Sequence, residues 1–183
     1  VVSDHGFAPV QQDVNLYAPF IQAGLVTLKD GAVADWQAMP WNDGGSAAIV
    51  LKEPGNQETL AKVQGLLAQL QGNPAYGIER VLDHAQLVER GGTAQASWFV
   101  LFKPGYEMAI KPDVPLPAPS HYRGMHGYDP AWPMMRSTFL IEGKGVPAGK
   151  NLGAIDMRDI APTLARELGV ALPAAQGKAL LSP

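Results

Sequence analysis

The 183-residue chain has 46% apolar and 17% charged residues, a composition typical of a folded globular protein and not of a disordered one. Its net charge of -3 and its scattered lysines and arginines form no basic stripe, so polymeric nucleic acid is disfavoured as a partner. Because the chain has no cysteine, disulfides and thiolate metal sites are excluded, and histidine and carboxylates remain as metal ligands.

The sequence carries no sign of a membrane anchor. No apolar run approaches the ~20 residues of a spanning helix, and no signal peptide is recognisable. The chain opens at Val1 without a methionine, so we expect that further sequence precedes it. The compartment is therefore not decided by the residues themselves.

The first half of the chain is predicted to alternate between strands and helices. Val1 and Val2 are interpreted as the end of a strand, followed by a turn at 3–6. Strands are predicted at 25–28, 47–52, 78–82 and 97–102, and helices at 13–25, at 56–71 and in a short segment ending at Arg90. The alternation favours an α/β layered fold.

The second half begins with a strand at 106–110, predicted to pair with 97–102 across the Pro104-Gly105 turn. A proline-rich segment, 111–119, is predicted to be an extended loop, since proline donates no ladder hydrogen bond. A strand at 136–142 and a helix from an Asp156 cap to about Leu168 complete the expected elements.

The first candidate metal motif is Asp4-His5-Gly6, directly after the predicted strand end. Neighbouring strand residues point to opposite faces, so the chain must leave strand geometry for both side chains to serve one ion. Gly6 permits such a turn. A carboxylate and an imidazole at a strand end are suitable ligands for Zn²⁺ or Mn²⁺. The alternative is that Asp4 caps a turn and His5 bonds the backbone.

The second candidate motif is His126, which lies between Gly124-Met125 and Gly127 in a loop after the prolines. Glycines on both sides bring its backbone close to whatever it contacts, which suits a ligand better than a core histidine. His84 is interpreted as a surface residue. His121 is expected to serve local hydrogen bonding, although a ligand role stays open. Asp129 is expected to hold the His126 loop through an Asx turn or a hydrogen bond.

Together these segments resemble the type I phosphodiesterase and nucleotide pyrophosphatase family of the alkaline phosphatase superfamily. The specific part is the pairing of Asp4-His5-Gly6 with the run from His126 to Asp129. Segments at 103–106, 134–143 and 155–164 follow the same family pattern. Met125 replaces the usual threonine. The resemblance implies an α/β, alkaline phosphatase-like three-layer fold, of which residues 1–183 form the C-terminal part, with 30–119 as an excursion between the metal motifs.

The resemblance also implies an activity and a ligand set. Such enzymes hydrolyse phosphodiester or pyrophosphate bonds with two divalent metal ions and a threonine or serine nucleophile, and the resemblance implies zinc as the metal. Carried over to this chain, Asp4 and His5 bind one ion and His126 the other. The nucleophile and the remaining ligands would lie upstream of Val1, so the isolated chain is expected to be inactive.

The partners implied are a small phosphodiester or nucleotide substrate and the missing N-terminal half of the same domain. An unpaired strand edge near Val1 leads us to expect self-association as well. The resemblance further suggests a periplasmic or secreted protein.

Three alternatives stay open at this point. The first is a phosphomonoesterase, sulfatase or phosphoglycerate mutase, which share the fold and metal layout. The second is a mononuclear iron oxygenase, because two histidines and one carboxylate form the facial triad of that class. The adjacent positions of Asp4 and His5 and the alternating α/β pattern weigh against this class. The third is a non-catalytic domain that keeps a metal-binding loop.

Overall fold

The computed structural model describes residues 1–116 and 118–181, and these fall into two compact units. The larger unit is Ser3–Thr138, and the smaller consists of Val1–Val2 with Phe139–Pro183. Pro117, part of the predicted proline-rich loop, lies outside the described residues, as do the last two residues of the chain.

The larger unit contains ten strands and three α-helices. The strands are β1 Ala8–Val14, β2 Val26–Lys29, β3 Ala32–Trp36, β4 Ala38–Asn42, β5 Ser46–Leu51, β6 Ile78–Asp83, β7 Trp98–Phe102, β8 Gly105–Met108, β9 Ala118–Pro119 and β10 Gly124–Met125. The helices are α1 Tyr17–Gln22, α2 Gln57–Gly72 and α3 His84–Glu89. Short 3₁₀ turns lie at Pro74–Tyr76 and Pro133–Met135.

One sheet, here called the antiparallel sheet, has the strand order β4-β5-β7-β6. Helix α2 contributes Val63, Leu67 and Leu70 to the same buried core as the inner strands, because these residues recur on one helix face. The Asn56 side chain accepts the Thr59 N–H (3.0 Å) and caps the helix. The predicted helix at 56–71 and the predicted strands at 47–52, 78–82 and 97–102 are therefore confirmed within a residue or two at each end.

The second sheet, here called the β1 sheet, is built around β1, which pairs in parallel with β8 and antiparallel with β9 and β10. Strand β2 forms a separate hairpin with β3. The predicted helix at 13–25 is wrong in its first part, since the strand continues to Val14 and only Tyr17–Gln22 is helical. The alternating burial at the start of β1 is the period-2 pattern of a strand.

The predicted pairing of 106–110 with 97–102 is also wrong. Strand β8 does not join the antiparallel sheet. It pairs with β1, with Gln12 opposite Tyr106 and Val14 opposite Met108. Gly105 has a φ of +88°, a left-handed backbone conformation that turns the chain away from a simple hairpin.

The smaller unit holds one α-helix, α4 Ile160–Glu167, preceded by a 3₁₀ turn at Met157–Asp159. Asp156 caps that turn through the Arg158 N–H (2.9 Å), so the α-helix begins later than predicted. The predicted strand at 136–142 is wrong, because the described backbone there forms only the single bridge between Val2 and Phe139. Among the described residues, no helix is long and apolar enough to cross a membrane.

Candidate metal centre

Asp4-His5-Gly6 lies shortly before β1, where the chain is held against the 3₁₀ turn at Pro133–Met135. The Gly6 N–H donates to the Met135 carbonyl (3.0 Å). A Cβ at Gly6 would lie 1.9 Å from the Met134 carbonyl oxygen, so only glycine fits at this position. The close backbone approach fixes the position of the chain directly after His5.

The His5 ring is held by the backbone of the next residue, Gly6. Its Nδ1 lies 2.8 Å from the Gly6 carbonyl oxygen, which can only accept, so Nδ1 must carry the proton. That tautomer leaves the Nε2 lone pair free, 3.5 Å from Asp4 Oδ2. Asp4 is largely exposed, at 85% of its side-chain surface, and its Oδ1 accepts the His5 N–H (3.0 Å). Metal-binding histidines commonly have this backbone-oriented arrangement.

His126 follows β10 and is held by close contact with the turn between β4 and β5. Its carbonyl oxygen accepts the Gly45 N–H (2.8 Å). Gly127 has a φ of +79°, and a Cβ there would lie 1.8 Å from the Asp43 carbonyl oxygen. The two glycines of the motif have different roles. Gly124 pairs with Pro9 in the β1 sheet, whereas Gly127 permits the close approach of the backbone to Asp43.

The structure brings the two candidate histidines together. The His5 and His126 rings stack with centroids 4.3 Å apart and an interplanar angle of 22°. Asp4 lies beside His5 through the contacts described above. Within the described ranges, no set of three or more histidine, cysteine, aspartate or glutamate side chains is arranged to hold an ion. The assignment of Asp4, His5 and His126 as metal ligands therefore stays a prediction.

Two features of this site were not predicted from the sequence. The first is Phe7, whose ring is 58% exposed and lies 5.6 Å from the His5 ring and 5.8 Å from the His126 ring, centroid to centroid. Phe7 thus adds an exposed aromatic ring beside the two histidines. The only available signal was its position directly after Gly6.

The second feature is the turn Asp43-Gly44-Gly45. A Cβ at Gly45 would lie 2.4 Å from the Tyr128 ring, so this glycine is needed for the His126 loop to pack. Burial raises the pKa of Asp43, while the Ser46 hydroxyl and the nearby His126 oppose that rise. The paired glycines after an aspartate indicated a turn, but nothing in the sequence connected that turn to His126.

The residues after His126 anchor its loop. The Tyr128 hydroxyl donates to the Tyr106 carbonyl (2.8 Å), and burial, with a smaller contribution from Glu107, raises its pKa to about 12. Asp129 is only 6% exposed in its side chain and binds Arg80 (2.5 Å) and Arg90 (3.5 Å). Its Oδ1 also accepts the Ala131 N–H (3.0 Å). The expectation that Asp129 holds this loop is confirmed.

The other two histidines lie in surface positions. His84 is exposed, as predicted, at the first residue of α3, and its Nδ1 lies 2.8 Å from the Ala96 carbonyl oxygen. His121 is exposed in the loop before β10, where the neighbouring Ser120 hydroxyl accepts the Tyr122 N–H (3.0 Å).

No protein-family model matches the chain, and no curated protein matches it in sequence. Solved structures do resemble it. Human ectonucleotide pyrophosphatase/phosphodiesterase 5 superposes with a TM-score of 0.64 at 18% identity, covering 97% of this chain and 42% of that one. Two structures of the murine enzyme, one of them an inactive form in complex with AMP, cover 75% of this chain and 31% of theirs, with TM-scores of 0.44 and 17% identity.

The likeness to the human enzyme concerns the fold, because 18% identity carries no residue roles by itself. This chain spans less than half of that enzyme's length. The mixed α/β arrangement of helices and several sheets matches it over nearly all of this chain. The predicted α/β class is thereby confirmed, and the fold is similar to that of the human enzyme.

Proposed function

We propose that this chain is the C-terminal part of a metal-dependent hydrolase of phosphodiester or pyrophosphate bonds. Asp4 and His5 would bind one divalent ion and His126 a second, with zinc the ion expected. One observation carries the proposal: two imidazoles from motifs at opposite ends of the larger unit stack at 4.3 Å. The fold likeness to a nucleotide pyrophosphatase/phosphodiesterase supports it.

The donor set fits such ions. His5 keeps Nε2 as a free lone pair beside the Asp4 carboxylate, and nitrogen with oxygen donors suits Zn²⁺. When bound, such ions would supply Lewis-acid polarisation of the phosphoryl group and would lower the pKa of an attacking hydroxyl. The residues of this chain orient the donors: the Gly6 carbonyl fixes the His5 tautomer, and the arginine-bound Asp129 holds the loop that carries His126.

The rest of the active site is proposed to come from sequence upstream of Val1. The family that the motifs resemble places its threonine or serine nucleophile and further ligands there. The chain covers 42% of the human relative, which leaves room for that half of the domain. A small phosphodiester or nucleotide is the proposed substrate, and an exported location and self-association are proposed with it.

Metal binding is the direct test. We expect Zn²⁺ to bind a longer protein that includes the upstream half in a calorimetric titration, and His126→Ala to weaken binding at least ~10-fold, as loss of a ligand should. His84→Ala is the matched control, since that histidine is exposed and bonded to Ala96. Equal zinc affinity in the His126→Ala and His84→Ala variants would contradict the ligand assignment.

Activity is then tested in a longer protein that includes the upstream half. Zinc-dependent hydrolysis of bis-p-nitrophenyl phosphate, lost in His126→Ala and retained in His84→Ala, is the expected result. Faster hydrolysis of p-nitrophenyl phosphate than of the diester would favour a phosphomonoesterase of the same superfamily. Zinc-dependent hydrolysis by the 183-residue chain alone would show that no upstream nucleophile is needed.

A second candidate is a non-catalytic domain, and one observation favours it. Asp4 caps the His5 N–H and His5 bonds the Gly6 carbonyl, which are the contacts expected of a purely structural turn. The calorimetric titration separates the two proposals, because a structural turn has no reason to bind zinc.

A further inference from the structure

Two acidic side chains that the candidate metal centre does not use are buried against each other in the β1 sheet. Asp13 of β1 and Glu107 of β8 are register partners across the parallel pairing, and they are 7% and 2% exposed. Asp13 Oδ1 is buried and has no hydrogen-bond partner among the described residues. Glu107 Oε1 accepts the Ser120 hydroxyl. A buried carboxylate oxygen without a donor is costly, so this arrangement requires an explanation.

No cation compensates the two carboxyl groups. In the described part of the chain, none of the salt bridges involves Asp13 or Glu107. The polar groups that face Glu107 are Asp13 from β1, Ser120 after β9 and Tyr128 after β10. The Tyr128 hydroxyl already donates to the Tyr106 carbonyl and is not available to either acid.

A single proton on Glu107 would supply both the missing donor for Asp13 and relief from the repulsion between the two carboxylates. A carboxylic acid donates through its O–H, so a protonated Glu107 supplies the donor that Asp13 lacks and leaves one negative charge instead of two. Burial raises the pKa of Glu107 to about 7, and although the Ser120 hydrogen bond opposes this, the hydrogen bond and charge of Asp13 reinforce it.

We propose that Asp13 and Glu107 share one proton and form a pH-sensitive lock between β1, β8 and the segment that leads to His126. That segment begins at β9, which pairs with Asp13 through Ala118. It continues through Ser120, whose N–H donates to the Gln11 carbonyl (2.9 Å). Loss of the proton leaves two buried negative charges, and among the described residues Ser120 is the one side chain that donates to them. Their repulsion weakens the pairing of β1 with β8 and β9. The proposal does not depend on the proposed function.

The direction of the pH effect follows from the two states of Glu107. Unfolded, it titrates near the ordinary value of 4.5; folded, the pKa is about 7. Between pH 4.5 and pH 7, folding is therefore accompanied by uptake of a proton at Glu107. The stability that this proton contributes is lost as the pH rises through about 7. The unfolding constant should fall by up to about tenfold per pH unit from pH 7 to pH 5, the limit for one proton.

The test is urea unfolding of the 183-residue chain at pH 5, 6, 7 and 8, with Glu107→Gln as the variant. Glutamine keeps the shape, donates its N–H to Asp13 and cannot titrate. We expect this variant to be more stable than the wild type at pH 8, about equal at pH 5, and to lose the pH dependence assigned to Glu107. Glu79→Gln, an exposed glutamate on β6, is the matched control and should keep the wild-type profile.

An infrared measurement on the wild type keeps the proposal testable if the variant does not fold. A protonated-carboxyl carbonyl band at pH 6 that disappears by pH 8 is expected. Its absence, or a wild-type pH profile in Glu107→Gln, overturns the proposal. Stabilisation of the wild type by Ca²⁺ or Mg²⁺ at pH 8, absent in Glu107→Gln, would also overturn it, because the pair would then hold a cation and not a proton.

Discussion

The antiparallel sheet and the β1 sheet lie in one compact unit but are stabilised differently. The antiparallel sheet and α2 are held by apolar packing around residues such as Ile49, Val63 and Phe102, all fully buried. The β1 sheet also contributes Val14 and Met108 to this core, but it buries Asp13 and Glu107 as well. Apolar packing tolerates local change by repacking, whereas buried polar groups depend on each specific partner.

The largest expected effect contrasts two phenylalanines. Phe102→Ala removes a fully buried ring from β7 and should lower the free energy of unfolding by about 3–5 kcal/mol. Phe7→Ala, at the start of the β1 sheet, removes an exposed ring and should cost less than about 1 kcal/mol. Urea unfolding of both variants measures the difference, and equal losses would contradict the contrast between the core and the site.

A second pair of variants tests whether the His126 loop depends on backbone contact. Gly24→Ala and Gly127→Ala both force alanine to a left-handed φ, which costs about 1–2 kcal/mol. Gly24 has open space around it, whereas a Cβ at Gly127 meets the Asp43 carbonyl oxygen. Gly127→Ala should therefore be the more destabilising of the two, and it alone should reduce zinc affinity in the calorimetric titration.

If Gly127→Ala unfolds no more easily than Gly24→Ala, the close approach of the His126 loop to Asp43 is not needed for stability. Unchanged zinc affinity in a folded Gly127→Ala variant would separate the loop contact from the ligand role of His126.

The smallest effect concerns the ion pairs that hold the His126 loop through Asp129. Asp129→Ala leaves Arg80, on β6, and Arg90 without their carboxylate and should cost about 1 kcal/mol, because both arginines still reach solvent. Asp35→Asn breaks the exposed pair with Lys52 and should change stability little. Thermal unfolding compares them, and a change of the same size in both would show that burial of Asp129 adds nothing.

The sequence could predict the elements whose signals are local. Helix α2 was recognisable from the spacing of Val63, Leu67 and Leu70, because helix formation depends on neighbours within a few residues. Strand β1 was not predicted, and its last two residues were assigned to the helix that follows, because the apolar spacing after it obscured the short period-2 alternation of the strand. The partner of β8 was missed because strand pairing depends on contacts distant in the chain.

The candidate site divides in the same way. The sequence by itself supplied the predicted metal ligands Asp4, His5 and His126, because each stands next to or near glycines, which permit unusual backbone turns. Only the tertiary structure decided that His5 and His126 stack, that Phe7 lies beside them and that Asp13 faces Glu107. The physical reason is that residue type fixes what a side chain can donate or accept, while the folding of distant segments fixes which partner it meets.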